Sequence, residues 1–265
     1  MSNTALRNQV ADLLQRVKDE ARRIYPGGTL EIKKVDSYVL TLYWRAIRLF
    51  DGVVLLLRTH LPEEALILAR SLFVDALRLT EISETPKMRA ALLLGWANNS
   101  IEQKKNLIKE ASRLGLEPNP AALMAELNSQ QMKLQNYRSR NGIGPLRNFL
   151  SEKAAAAKFG RGHDYWSYVF SHEFVHGNDA AFTYSRKNRV DGVLVVHDQT
   201  NEPQLTVAVA CFAAKSVLQA AVATATVFNW KNIEPIKHLE AEVVKLEETQ
   251  RRGLTSASTG APAPG

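Results

Sequence analysis

The chain has 265 residues, with 34 Lys and Arg against 27 Asp and Glu, a net charge of +7 and 45% hydrophobic residues. This composition excludes a mostly disordered chain, a collagen-like fibre and a disulfide-framed secreted domain, and it is enough for one large domain or two small ones. Cys211 is the single cysteine, which excludes an intrachain disulfide and a cysteine-rich zinc site.

Leu6, Val10, Leu13, Leu14 and Val17 recur at three- and four-residue steps and predict a first amphipathic helix that stops near Pro26-Gly27-Gly28. Residues 1–28 then form part of the domain or an N-terminal arm. A start without a basic stretch followed by an apolar run lacks the pattern of a secretory signal, so a cytoplasmic protein is expected. A second helix is predicted over 33–59. Pro62 begins a third, to about 82, with Glu63 and Glu64 in its first turn, where carboxylates complement the helix dipole. This third helix is apolar almost all round and therefore central. Asp75 and Arg78, three apart on it, read as a buried or half-buried pair that fixes packing.

Thr85-Pro86 and Asn119-Pro120 each carry a cap followed by proline and open two further helices. Lys33-Lys34 and Lys104-Lys105 read as helix surface. Glycine-rich breaks at 141–145 and 159–162 bracket a short alanine-rich helix over 148–158, and a strongly apolar helix follows over 163–176, stopped by Gly177-Asn178. Residues 192–197 carry the one strand signal and pair with 181–185 across a polar turn at 186–191.

The most apolar region, 205–230, is split by Lys215 into charge-free pieces of 10 and 15 residues, each short of a membrane span, so a core helix and no membrane are expected. A last helix over 235–252 has an acidic face of Glu240, Glu242, Glu247 and Glu248, suited to the basic region or to a second copy. Residues 253–265, mostly Ser, Thr, Ala, Pro and Gly without a charge, read as a disordered tail. The expected fold is a mainly α multi-helix bundle over 1–252 with at most one small β-hairpin near 181–197. Its long helices offer a homodimer interface.

His172-Glu173-Phe174-Val175-His176 matches H-E-x-x-H. Residues four apart on a helix share a face, so His172 and His176 would ligate one zinc while Glu173 activates its bound water. Against this, the extended zincin form fails, with Asp179 and Phe182 where Gly and His would stand. Gly177-Asn178 also ends the helix directly after His176. Asp179, His197, Asp198 and Glu202 are the remaining third-ligand candidates, in no recognisable motif. The bland alternative is a pair of hydrogen-bonded histidines on a packed helix, with no cofactor.

Leu68-Ala69-Arg70-Ser71-Leu72-Phe73 on an apolar helix, followed by Tyr168-x-x-Ser171-x-x-x-Val175-His176-Gly177, resembles a bacterial domain-of-unknown-function family, number 5677. The resemblance covers about 35–230 and implies an all-helical bundle with an R-S-L helix early and an S-x-x-x-V-H helix late. It further implies that Ser171 and His176 are the family-like positions, while His172 and Glu173 fall at variable ones. In one departure, Val74 stands where the family tends to carry an acid four residues after the Arg, and Asp75 follows. The HEPN ribonucleases, also helical bundles with a late His, carry an Arg four to six residues before it. Here the nearest Arg before His176 is Arg161, so that signature is absent.

Charge is concentrated around this helix. Between Lys133 and Arg189 lie ten Lys and Arg and only four acids, Glu152, Asp164, Glu173 and Asp179, which is +6 of the chain's +7. Arg161, Arg186, Lys187 and Arg189 are the candidate contacts to a phosphate-bearing partner such as nucleic acid, with Tyr165, Trp166 and Tyr168 as stacking candidates. The expected function is a non-metal bundle that binds or acts on such a partner around Ser171 and His176. The alternatives are a zinc hydrolase built on His172, Glu173 and His176, and a non-catalytic interaction module.

Overall fold

The computed structural model describes residues 3–25, 35–116, 119–175, 187–190, 193–196 and 203–258. Among these are the helices α1 (Asn3–Arg23), α2 (Ser37–Arg58), α3 (Pro62–Glu84), α4 (Arg89–Arg113), α5 (Pro120–Arg140), α6 (Glu152–Lys158), α7 (Gly162–Val175), α8 (Pro203–Phe228) and α9 (Glu234–Ser258). Strands β1 (Lys187–Val190) and β2 (Val193–Val196) form an antiparallel pair. The fold is a mainly α bundle.

Its centre is the pair α3 and α8, which pack on each other most extensively, with α2 against both. The reason is compositional. α8 is built largely of Ala, Val and Thr, and small side chains let neighbouring helices approach closely. Its buried hydroxyls are satisfied one turn back: Ser216 Oγ donates to the Phe212 carbonyl at 2.8 Å and Thr224 Oγ1 to that of Ala220 at 2.7 Å. By length and composition α8 could cross a membrane, but two-thirds of its apolar window (67%) is already covered by the bundle.

α1 packs along α2, α8 and α9 and buries Val10, Leu13, Leu14, Val17 and Ala21, so it is integral to the core rather than an arm. Tyr43 of α2 is fully buried and donates its hydroxyl to the Ala21 carbonyl of α1. α5 stands apart. Leu127 is its one buried residue, and it pairs with α4 largely through polar groups. Gln131 Nε2 donates to Glu102 Oε1 at 2.7 Å and to Asn98 Oδ1 at 3.1 Å, while Lys105 Nζ donates to Gln131 Oε1 at 2.5 Å. Lys105 is therefore buried, a correction to its reading as helix surface, because it faces α5; Lys104 is exposed as expected.

Several boundaries differ from expectation. α2 starts at Ser37 rather than 33, and α4 at Arg89 rather than at Thr85-Pro86, because the Thr85 hydroxyl turns back and donates to the Glu81 carbonyl at 2.6 Å at the end of α3. The alanine-rich helix starts at Glu152 rather than 148, because Ser151 caps it by accepting from Ala154 N–H at 3.4 Å, and because the Leu150 N–H is drawn to Glu81 Oε2 at 3.0 Å. Among the described residues the hairpin joins 187–190 to 193–196, and the partner expected for 192–197, 181–185, lies outside them. The residues assigned to its turn form its first strand, and Asp191-Gly192, the dipeptide best suited to a two-residue connection, falls between the paired Val190 and Val193. The last helix continues to Ser258, so 253–258 are helical where the composition pointed to a tail. Residues 259–265 and 181–186 lie outside the described residues.

Candidate functional site around α7

α6 ends in a Schellman turn: Gly160, at φ +70°, allows the Arg161 N–H to reach the Ala156 carbonyl at 2.7 Å. This turn sets Arg161 as the residue before α7, where its carbonyl accepts from Tyr165 N–H at 3.0 Å. Its guanidinium folds inward. Nε donates to Asp164 Oδ2, Nη1 to Gln219 Oε1 and Nη2 to Ser216 Oγ at 3.5 Å, and the group lies 5.4 Å from the ring centre of Phe73. Lys215 Nζ bridges Asp164 Oδ1 and Glu247 Oε2, the latter at 3.0 Å, and His163 Nε2 stands 3.8 Å from Glu247 Oε1. Arg161, Asp164, Lys215 and Glu247 thus tie α7, α8 and α9 together through a nearly closed polar cluster.

The electrostatics follow from burial. Asp164 is 6% exposed, which works against its charge, yet the Arg161 and Lys215 cations together outweigh burial and hold its carboxyl below the ordinary range. Asp164 also lies in the first turn of α7, where a carboxylate is favoured by the helix dipole.

One turn further along α7, Tyr165 and Tyr168 stack at 5.5 Å, and Tyr168 meets Phe73 at 5.9 Å. Arg70, the Arg of the R-S-L helix, lies over the Tyr168 ring at 4.8 Å and donates to its hydroxyl at 3.4 Å. The early and late motifs of the sequence therefore meet in space. Ser171 is fully buried, and its Oγ donates to the Tyr168 carbonyl at 2.6 Å. Trp166 is 71% exposed, whereas Tyr165 and Tyr168 are half-buried against the core.

Other candidates are placed less fully. His172 and Glu173 lie in the last turn of α7, where the backbone is described and the side chains are not. Lys187 and Arg189 are on β1, likewise by backbone alone. His176, Arg186 and the third-ligand candidates Asp179, His197, Asp198 and Glu202 lie outside the described residues.

The matched family is the family of unknown function DUF5677, over residues 36–192. The chain belongs to this family. The DUF5677 stretch runs from the first residues of α2 through β1 and stops short of α8, so the cluster combines Arg161 and Asp164 from inside it with Lys215, Gln219 and Glu247 from outside. No curated protein and no solved structure matches the chain.

Along the sequence, Asp164 is one acid in a charge count and Lys215 a break in an apolar run. The available signal was physical: a lone lysine in the middle of a core helix needs a counterion. Glu247, on the predicted acidic face, supplies one from the side facing α7 and α8. Glu242 on the same helix instead pairs with Arg16 of α1 at 2.6 Å.

Proposed function

We propose that this DUF5677 protein is a non-metal helical bundle that binds a phosphate-bearing polymer, nucleic acid, through the basic stretch leading into α7. The observation carrying this reading is that Lys133, Arg140, Arg147, Lys153 and Lys158 are all exposed, while Glu152 is the one acid between positions 133 and 158. Exposed cations in such excess release counterions when they meet phosphates, which drives binding of any sequence. Trp166 adds an exposed ring for stacking. In this reading Arg161 and Ser171, turned into the fold, position α7, and the exposed cations make the contacts. The cytoplasm is the compartment where such a partner is met.

Fluorescence anisotropy of labelled oligonucleotides across a salt series tests the reading. Affinity should fall steeply with salt, and the combined change of Arg147, Lys153 and Lys158 to Glu should weaken binding and flatten the slope by roughly two to three units. Absence of binding at low salt, or a slope indifferent to these changes, overturns it. The zinc reading is decided by metal content: stoichiometric zinc that disappears in His176→Ala overturns the non-metal reading.

A further inference from the structure

A groove of about 360 Å³ lies between the start of α2 and the α4–α5 hairpin, well apart in sequence from α7. Three helices each give it an aromatic side chain: Tyr38 from α2, Trp96 from α4 and Tyr137 from α5. All three are half-buried, so they are anchored in the fold yet reachable from solvent. Tyr38 and Trp96 meet edge to face, with centroids 6.1 Å apart and planes at 86°. Such a pair leaves at least one face of each ring out of the contact, and a flat ligand can use it. Lys104 and Lys133 line the same groove from facing helices, and both are exposed. No carboxylate among the described residues is paired with either, in contrast to Lys105 beside them, which bonds Gln131 and Glu102.

An apolar aromatic interior with two cations at its rim suits a flat ring that carries a negative group. The volume is at the lower end of small-ligand sites, roughly 300–1,000 Å³. Lys133 belongs both to this groove and to the basic stretch, so a bound polymer can run from one to the other.

We propose that the groove receives an unstacked base of single-stranded nucleic acid, with Lys104 and Lys133 on the adjoining phosphates. This rests on the nucleic-acid reading and deepens it. A base inside a duplex is paired and stacked on both faces and cannot enter, so the groove gives the protein a preference for single strands.

The test compares a labelled single strand of about 12 nucleotides, within the span of known single-strand sites, with the duplex of the same length, on wild type and on Thr41→Trp. Thr41 is an exposed residue of the groove wall, so an indole there fills the groove while Arg140, Arg147, Lys153 and Lys158 of the basic stretch, which do not line it, are unaltered. Ser100→Trp does the same from α4 and guards against a folding defect in the first variant. Wild type should prefer the single strand, and each Trp variant should lose roughly tenfold in single-strand affinity, as expected for one lost stacking site, with duplex binding unchanged. Lys104→Glu should lower single-strand affinity and reduce its salt slope. Equal affinity of wild type for both forms, or unchanged single-strand binding by both Trp variants, overturns the groove while leaving the nucleic-acid reading in place. Binding of neither form by wild type overturns both.

Discussion

Two buried carboxylates behave in opposite ways because their surroundings differ. Asp164 has two cations within the fold, and their charges outweigh burial. Its folded pKa lies below the unfolded one, so its stabilisation is complete above an ordinary carboxylate value and is lost as pH falls through the lower folded value. Asp164→Asn leaves Arg161 and Lys215, each 12% exposed, without this carboxylate, although Lys215 keeps Glu247. The expected loss is about 3 kcal/mol, measured as a lowered urea midpoint at neutral pH. A loss below about 1 kcal/mol, the scale of an exposed pair such as Arg16–Glu242, would remove the cluster from the stability account.

Asp75 is fully buried on α3, and burial pushes its carboxyl from 3.8 to about 6 against the pull of Arg45 and Arg78. Arg45 Nε is 2.8 Å from Oδ2 and Arg78 Nη1 3.8 Å from Oδ1, and these two cations do not fully offset the loss of solvation. The folded state therefore keeps a proton that the unfolded chain has released, and stability falls as pH rises from 3.8 to about 6. The decline from this residue is on the order of 3 kcal/mol and is complete above that window. Asp75→Asn removes the titration, and since Arg45 and Arg78 are 44% and 27% exposed, water serves their charges. Urea midpoints of the variant should show no such decline across the window; a decline equal to wild type would refute the assignment. The sequence showed that Asp75 pairs on α3, but Arg45 comes from α2 and was invisible to a search along one helix.

At the scale of elements, one glycine of a helix interior is held by a close backbone approach. A Cβ on Gly95 of α4 would lie 2.0 Å from the Arg147 carbonyl oxygen, on the segment whose Arg147 N–H donates to Ala91 O at 3.2 Å. Replacing a mid-helix Gly by Ala ordinarily gains up to about 1 kcal/mol, but here the obstacle is backbone, which yields poorly. Gly95→Ala should therefore destabilise, by about 1–3 kcal/mol as overpacking does. Gly52→Ala is the control, because its Cβ would meet only the end of the Leu68 side chain, at 2.7 Å, which can rotate away. Thermal melts of the two variants decide it, and equal shifts would count against the clash. Nothing in the residues around Gly95 announces this constraint, since Arg147 is far along the chain. Helix ends, by contrast, were legible wherever a local cap sets them: Pro62 begins α3, and Asn119 accepts from Ala122 N–H at 3.3 Å to begin α5. They were misread where a distant group competes, as Glu81 does for Leu150.

Across the whole molecule, the long apolar run 205–230 became the central helix, and α1 joined the core because its apolar stripe has α2, α8 and α9 to cover it. The excess charge divides into two kinds. Lys133, Arg140, Arg147, Lys153 and Lys158 face solvent, while Arg161 turns inward to Asp164. A count along the chain treats these cations alike, although only the first kind can meet a partner.

By itself the sequence determined the helical class, most helix boundaries, the central place of α3 and α8 and the family, because apolar periodicity and caps act within a few residues. Only the tertiary structure decided which charges are buried together, which lysines stay exposed and where three aromatic rings line one groove. Those outcomes depend on pairs of residues tens to hundreds of positions apart, and burial, not residue type, sets what each charge can do.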